Sequence, residues 1–188
     1  MPGKKEPQFF DTLPEFNPEN SQCYFDIKIG NPDIHDENYK NLPTHRVVFE
    51  IFTSQVPKTA ENFRCLCTGE KSARLHYKNN FFHRIDKGFV LQGGDIARRN
   101  GSGSISIYGE AFDDEQIWYP HSHPGVLSMA LRGKPNTNGC QFAITLMPVD
   151  FMDKQYTVFG RVIHNYKYIQ VLKSRRLMKI EIVLQSSK

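Results

Sequence analysis

The stretch that decides the fold reads FHRIDKGFVLQGGD and spans residues 82–95. Two short apolar runs flank a Lys-Gly turn, and a Gly-Gly pair ends the second run. This pattern predicts two strands, with glycines where the backbone bends or is closely approached. Arg84 lies on the first strand, and Phe89 and Gln92 follow it, which indicates one positive charge over an apolar floor. The alternative is a surface arginine on an edge strand.

Alternating or apolar runs elsewhere predict six further strands, at residues 23–29, 46–52, 126–130, 141–145, 157–163 and 179–184. A helix is predicted over residues 56–69, because Pro57 suits its first turn and Gly69 suits the position just past its end. A second, short helix is predicted at residues 166–172. The chain is therefore mainly β, and about eight antiparallel strands favour a closed barrel, which removes exposed sheet edges.

The chain divides into two predicted parts. Residues 1–21 are rich in proline, asparagine and glutamate, so we expect a loosely ordered N-terminal extension, with Phe9 and Phe10 as candidate docking residues. Residues 22–188 are long enough for one well-buried core and short for two domains. Residues 96–124 show no periodicity, and so long a loop in a compact domain is usually functional or disordered.

The composition is that of an ordinary globular domain, with 39% hydrophobic and 23% charged residues in a chain of 188. The net charge is only +4, and the one dense basic run is at 173–176, so the charge distribution does not indicate a nucleic-acid-binding surface. No apolar run follows the first lysines, so we expect neither a secretory signal nor a membrane span. These features favour a cytoplasmic protein, with the nucleus as the alternative.

The four cysteines, Cys23, Cys65, Cys67 and Cys140, contain no CxxC unit. A structural zinc site is therefore not expected, and free thiols are the default in a reducing compartment. Cys65 and Cys67 could hold a metal together with His76, but two thiols spaced by one residue on a helix point in different directions. We expect core thiols and no metal.

Several short phrases stand in a fixed order along the chain: VPKTAENF at 56–63, TGEK at 68–71, FHRI at 82–85, QGGD at 92–95, SIYGE at 106–110, LSMA at 127–130, NTNG at 136–139 and VFG at 158–160. In these phrases the chain resembles the cyclophilin family of peptidyl-prolyl cis-trans isomerases, from about Cys23 to Leu184. The resemblance implies a closed eight-stranded antiparallel barrel capped by two helices. It also implies a prolyl-peptide groove on the outer face of the barrel.

The chemistry that the resemblance implies is rotation about an Xaa-Pro bond, which is slow because amide resonance sets a barrier of about 18–20 kcal/mol. No bond is made or broken, so no cofactor is expected. The arginine of the FHRI phrase, Arg84, would donate to the proline nitrogen and stabilise the twisted amide. Gln92 would orient that arginine.

The remaining groove residues are also implied by the resemblance. Phe89 would wall the proline ring, and Gln141 would line the groove beside it. Ala130 and the turn at Gly101 would flank the neighbouring residues of the peptide. We expect proline-containing peptides and proteins as partners, neither nucleic acid nor membrane, and a monomeric chain.

The sequence departs from the family at the floor and one rim of this groove. Ala143 stands where the family usually has a second phenylalanine, and Val90 stands where it usually has methionine. Alanine leaves the floor deeper or filled by a neighbouring side chain, and a buried ring typically contributes a few kcal/mol. Leu131 replaces the asparagine of an Ala-Asn-Ala run, with one extra residue before Asn136. These changes predict an altered proline pocket.

The other departures are at three further groove positions that the resemblance implies. Phe151 replaces the usual tryptophan, Met152 the usual leucine and Tyr156 the usual histidine. Because cyclosporin typically hydrogen-bonds the indole N–H that Phe151 lacks, we predict weak cyclosporin binding.

Two main functions follow. One is an isomerase that assists protein folding or conformational switching, with activity reduced by Ala143 and Tyr156. The alternative is a weak or inactive module that binds proline peptides as a scaffold, and a third interpretation is a partner in a larger assembly. A concave apolar site that both Arg84 and Gln92 face would favour the isomerase.

Overall fold

The computed structural model describes residues 6–30 and 41–171. The strands are β1 (Gln8–Phe9), β2 (Ser21–Lys28), β3 (Thr44–Ile51), β4 (Phe82–Ile85), β5 (Val90–Gly93), β6 (Ile117–Trp118), β7 (Val126–Met129), β8 (Phe142–Thr145) and β9 (Val158–His164). The helices are α1 (Pro57–Thr68) and α2 (Tyr166–Val171), and a 3-10 turn covers Asp150–Met152. Neither helix in the described part of the chain has the length and apolar character to cross a bilayer.

Seven strands form one curled antiparallel sheet in the order β2-β3-β9-β7-β8-β5-β4. The pairing register shifts between Val48 and Phe49 in β3, within the β4–β5 pair and between Leu127 and Ser128 in β7. Such irregularities bend a strand and increase its twist, which is how this sheet curls around its core.

The expectation of a closed eight-stranded barrel is wrong for the described residues. Their sheet has seven strands and ends at β2 on one side and β4 on the other. Closure needs each of these edges to be paired. The eighth predicted strand, at 179–184, lies outside the described residues. The other predicted strands and both helices are confirmed, within a few residues at their ends, up to Val171.

Helix α1 begins at Pro57 and ends before Gly69, whose φ of 70° is the left-handed conformation that glycine adopts most readily. Its first turn is capped from a distant loop. The carboxylate of Glu115 accepts hydrogen bonds from the backbone N–H groups of Lys58 (3.0 Å) and Thr59 (2.8 Å). These bonds satisfy two of the free donors at the helix start and place a negative charge there.

The core is an aromatic cluster inside the curled sheet, with Phe63 of α1 at its centre. The Phe63 ring centroid lies 5.0 Å from that of Phe159, 5.4 Å from Phe142 and 5.5 Å from Tyr77. Ring pairs at these separations add to the burial of apolar area. α1 is thereby fixed against β8 and β9.

Strands β5 and β8 separate this core from the outer face of the sheet. Leu91 and Ile144 are paired and fully buried in the core. Because side chains alternate along a strand, Gln92 and its partner Ala143 point to the other face, where Val90 and Ala143 join a small apolar cluster. The sheet thus presents a second, outward-facing apolar surface.

Residues 6–20 lie against the domain. β1 pairs in parallel with β6, and the Phe10 ring stacks on Tyr119 with centroids 4.6 Å apart. The buried carboxylate of Glu50 accepts hydrogen bonds from the Asn20 side chain (2.9 Å) and from Arg161 (2.8 Å). The division of the chain at residue 21 stays a prediction.

Candidate functional site

A groove of about 290 Å³ lies on the outer face of the sheet, over β5 and β8. Its lining residues are Arg84, Phe89, Val90, Gln92, Met129, Ala130, Leu131, Ala143, Phe151, Met152 and Tyr156. All of the predicted site residues except Gly101 and Gln141 are in this set. The lining is mainly apolar, with a charged group and an amide on one side, which is the usual character of a ligand site.

Arg84 is the cation among the lining residues, and it forms an ion pair with an acidic neighbour. Its Nη2 lies 2.5 Å from Oδ2 of Asp86, two residues along the same hairpin. The Arg84 side chain is 54% exposed and that of Asp86 is 37% exposed. Nη1 of Arg84 lies 3.5 Å from Oε1 of Gln92, which is at the outer limit of a hydrogen bond. The guanidinium is therefore bonded mainly to Asp86.

Gln92 is oriented by a chain of amide hydrogen bonds. Its Nε2 donates to Oε1 of Gln141 at 2.8 Å. Nε2 of Gln141 donates in turn to the carbonyl oxygens of Gly101 (2.8 Å) and Gly103 (2.6 Å). Because its Nε2 is engaged in this way, the Oε1 of Gln92 faces Arg84. Gln141 and Gly101 thus support the groove from behind and do not line it.

The loop that carries Gly101 is fixed by Asp95, a residue that sequence reasoning did not single out. Its carboxylate accepts hydrogen bonds from the backbone N–H groups of Arg98 (2.8 Å), Gly101 (2.8 Å) and Gly103 (3.0 Å), among others. Burial by itself would raise the pKa of Asp95, but these N–H donors outweigh it and the pKa is lowered. The signal in the sequence was an acid followed closely by a glycine-rich run.

His83 lies behind this loop. It adjoins Arg84 in β4, and successive side chains on a strand point to opposite faces. Gly101 has a φ of 89°, and a Cβ there would lie 2.8 Å from the His83 ring, so the loop needs glycine at this position. Burial is the main cause that lowers the pKa of His83, which keeps the ring neutral near pH 7. These contacts indicate a structural role for this histidine.

The floor and far wall of the groove are apolar. Val90, Ala143 and Met152 are each at most 5% exposed and pack together, with Phe89 and Tyr156 against them. Ala143 contributes less apolar area to this cluster than a phenylalanine would. Tyr156 forms part of the wall and does not close the groove, whose volume is about 290 Å³.

Phe151 forms the outer lip of the groove. Its ring centroid lies 5.3 Å from that of Phe89, and Phe151 is 68% exposed. Exposed apolar area that adjoins a groove is typical of binding surfaces. The pair therefore offers a ready apolar contact to a ligand.

His121 links Ser128 to Asp153 in an arrangement that superficially resembles a hydrolase triad. Its Nε2 lies 2.9 Å from Oγ of Ser128, and its Nδ1 lies 2.7 Å from Oδ1 of Asp153. His121 and Ser128 are fully buried, so no substrate reaches the hydroxyl. The cluster instead ties β7 to the segment 150–156, which carries the far wall of the groove.

One group of potential metal ligands occurs within residues 6–30 and 41–171, namely Glu61, Cys65 and Glu70. Arg64 already lies among them and donates to Glu61 (2.8 Å) and Glu70 (2.6 Å). Burial chiefly raises the pKa of Cys65 to about 12, so its thiol stays protonated. A protonated thiol beside a guanidinium does not suit a metal ion. His76, the third candidate with Cys65 and Cys67, is not in the group.

Comparison with known proteins gives consistent matches. A family model described as cyclophilin type peptidyl-prolyl cis-trans isomerase/CLD matches residues 34–185. The peptidyl-prolyl cis-trans isomerase cyp11 of Rhizopus delemar is 45% identical over 161 residues, which are 82% of this chain and 44% of that protein. The peptidyl-prolyl cis-trans isomerase CYP22 of Arabidopsis thaliana is 47% identical over 150 residues, 78% of this chain and 70% of that protein. The chain thus spans less than half the length of the first relative.

Proposed function

Because the chain belongs to the cyclophilin family of peptidyl-prolyl cis-trans isomerases, we propose that it isomerises Xaa-Pro bonds of proteins in the groove beside Arg84. One observation carries the proposal. Arg84 and Gln92 face a single concave site whose floor and far wall are apolar. A proline ring is apolar and its amide nitrogen is polar, so the two sides of the groove match the two parts of the substrate.

The catalytic step requires no covalent bond to be made or broken. Rotation about the amide requires the nitrogen lone pair to leave the π system, and this is the origin of the barrier of about 18–20 kcal/mol. A guanidinium N–H aimed at that nitrogen stabilises the lone pair when the amide is twisted more than when it is planar. Such differential stabilisation by a donor already in place is what lowers a barrier.

Gln92 would hold the Arg84 guanidinium in position toward the proline nitrogen. Its Nε2 is bonded to Gln141, so its Oε1 is available to accept from the guanidinium at a separation that is 3.5 Å without substrate. Breaking the contact with Asp86 would free guanidinium N–H groups for Gln92 and for the substrate. Arg84 is therefore the proposed catalytic residue, and Gln92 a positioning residue.

The proline ring would lie on the cluster of Val90, Met152 and Ala143, with Phe89 and Tyr156 at its sides. Ala143 would offer the ring less apolar area than a phenylalanine. The contact with proline is correspondingly weaker, so we expect a higher KM, since burying less apolar area gives less binding energy.

A second candidate function is a proline-peptide scaffold with little turnover. The observation that favours it is the Arg84–Asp86 ion pair, because a guanidinium engaged with a carboxylate must break that contact to reach the proline nitrogen. The domain division, the cytoplasmic location and the monomeric state stay predictions. A role in folding or in conformational switching of clients follows if turnover is present.

Exchange NMR on a short Ala-Pro peptide tests the proposal. We expect catalytic amounts of the protein to produce cis-trans exchange cross-peaks, and Arg84→Ala to reduce the exchange rate about 10²–10³-fold. Arg84→Lys should restore only part of it, because a lysine is a point charge without the planar fork. Arg74→Ala, at an exposed arginine outside the groove, is the matched control.

Each outcome has a distinct meaning. Exchange that disappears in Arg84→Ala and persists in Arg74→Ala supports the isomerase. Peptide shift changes without accelerated exchange support the scaffold instead. If the wild type produces neither shifts nor exchange, both functions of this groove are refuted.

A further inference from the structure

A second cavity adjoins the proposed proline groove. It has a volume of about 360 Å³ and is lined by Asp114, Gln116, Trp118, Leu131, Gly133, Lys134, Pro135, Lys154, Gln155 and Tyr156. Leu131 and Tyr156 line both spaces, so one layer of side chains separates them. A peptide bound in the groove would pass directly beside this cavity.

The walls of the second cavity offer apolar area and positive charge. Trp118, Leu131 and Pro135 supply the apolar part, and Lys134 and Lys154 are exposed at its rim. Such a combination suits a peptide segment that carries an acidic side chain next to an apolar one, because the stems of lysine cover apolar surface while their ammonium groups attract an anion.

Asp114 also lines the cavity, but its carboxylate is bonded within the protein. It accepts hydrogen bonds from the backbone N–H of Asn136 at 2.9 Å and from the side-chain amide of Asn138 at 2.7 Å. Asp114 is buried, whereas both lysines are exposed. The exposed charged side chains among the lining residues are therefore the two lysines, and the Lys154 ammonium also lies 5.2 Å from the centroid of the Phe9 ring. The acids Asp113 and Glu115 line an adjoining space and not this cavity.

The backbone around the cavity is held in an unusual conformation. Gln116 has a φ of 58° and Lys154 a φ of 60°, and neither residue is a glycine. This region costs energy for residues with a side chain and is often occupied at binding sites. The surrounding structure holds Gln116 in place, because its carbonyl accepts a hydrogen bond from the Gln8 N–H of β1 at 2.9 Å.

We propose that this cavity is a second subsite for the same proline peptide, and that it takes an acidic residue near the proline. The inference rests on the proposed function only for the identity of the peptide. Two observations support the inference: Leu131 and Tyr156 line both spaces, and two lysines lie at the rim of the second one. Selectivity for acidic proline peptides would compensate for the proline contact that Ala143 gives up.

The test uses Trp118, the single tryptophan of the chain, as a built-in reporter, because it lines the second cavity and not the groove. Peptides carry one Ala-Pro bond, with glutamate or lysine placed in turn at each of the three positions on either side. Titration of each peptide is followed by Trp118 fluorescence. At one position we expect the glutamate peptide to shift the emission and to bind about fivefold more tightly than its lysine counterpart.

Charge reversal at the rim provides the matching change in the protein. In the double variant Lys134→Glu, Lys154→Glu, the lysine peptide should become the preferred one. Lys78→Glu makes the same kind of charge change at an exposed site elsewhere and should leave the glutamate preference intact. Raising the salt concentration should reduce the preference in the wild type, because rim charges are screened.

The two proposals fail in different ways. If glutamate and lysine peptides bind equally, or if the double variant keeps the glutamate preference, the subsite is refuted even when exchange NMR shows isomerisation. If the Trp118 response and its reversal are observed without accelerated exchange, the subsite stands and only the catalytic proposal fails. Binding of free glutamate as tightly as the peptide would refute a subsite specific for peptides.

Discussion

Replacing Asp86 by asparagine tests whether this acid restrains Arg84, the proposed catalytic residue. The substituted side chain has nearly the same shape. The two backbone bonds of residue 86, from its N–H to Val90 O and from Phe89 N–H to its carbonyl oxygen, do not involve the side chain. The ion pair is lost, so the guanidinium turns toward Gln92 and the groove more readily. We expect kcat/KM for a neutral proline peptide to increase.

The size of the increase follows from the exposure of the pair. With side chains 54% and 37% exposed, the ion pair belongs to the class worth about 0.2–1 kcal/mol. If Asp86 competes with the substrate for Arg84, its loss should raise kcat/KM about 1.5- to fivefold. The assay is peptide isomerisation by exchange NMR or by a coupled optical method. Lys87→Gln, the exposed neighbour, serves as control and should change the rate little.

A lower kcat/KM in Asp86→Asn would refute this reasoning, because it would mean that Asp86 aims Arg84 and does not hold it back. Asp86→Glu separates the two cases further. A glutamate retains the charge and should keep the rate low if the ion pair is the restraint.

Three further predictions concern stability and drug binding. Burial chiefly lowers the pKa of His121, against the opposing effect of Asp153, so the unfolded chain takes up this proton first as the pH falls. The midpoint temperature of thermal unfolding should therefore decrease as the pH is lowered from about 7 to about 5. This decrease should be smaller in His121→Gln, and an equal decrease would contradict the assignment of the effect to His121. Phe63→Ala removes the centre of the aromatic core and should lower the free energy of unfolding in urea by about 3–5 kcal/mol, whereas Phe16→Ala, at a 53% exposed ring, should change it by less than about 0.5 kcal/mol. Wild type should bind cyclosporin weakly, and Phe151→Trp should bind it about three- to tenfold more tightly by calorimetry because of the added N–H donor; unchanged affinity would refute that explanation.

Sequence patterns predicted the elements of this fold wherever a local signal exists. Alternation of apolar residues identified the strands, and the proline and glycine at the two ends of α1 fixed its limits. The cap that completes α1 could not be found in this way. Glu115 is 56 positions from Thr59, and nothing near either residue indicates that they meet.

In the groove, too, some features could be predicted from the sequence and others could not. The family resemblance indicated which residues to expect near one another, and most of them line one space. It did not indicate that Gln141 would lie behind Gln92, nor that Asp95 would hold the loop of Gly101 by its backbone. Asp86 has no distinguishing signal in the sequence, because an acid in a polar turn is ordinary, and its relevance follows only from its distance to Arg84.

The two faces of β5 and β8 explain how a groove can be rebuilt without loss of the fold. Leu91 and Ile144 belong to the core, and changing them would open a cavity there. Val90 and Ala143 lie on the outer face in a cluster of their own, so substitutions there alter the proline pocket and leave the aromatic core untouched. We therefore expect substitutions on the outer face to change turnover without lowering the stability of the fold. Of the residues that depart from the family pattern, Val90 and Ala143 lie on this outer face of the sheet, in the same groove as Arg84 and Gln92.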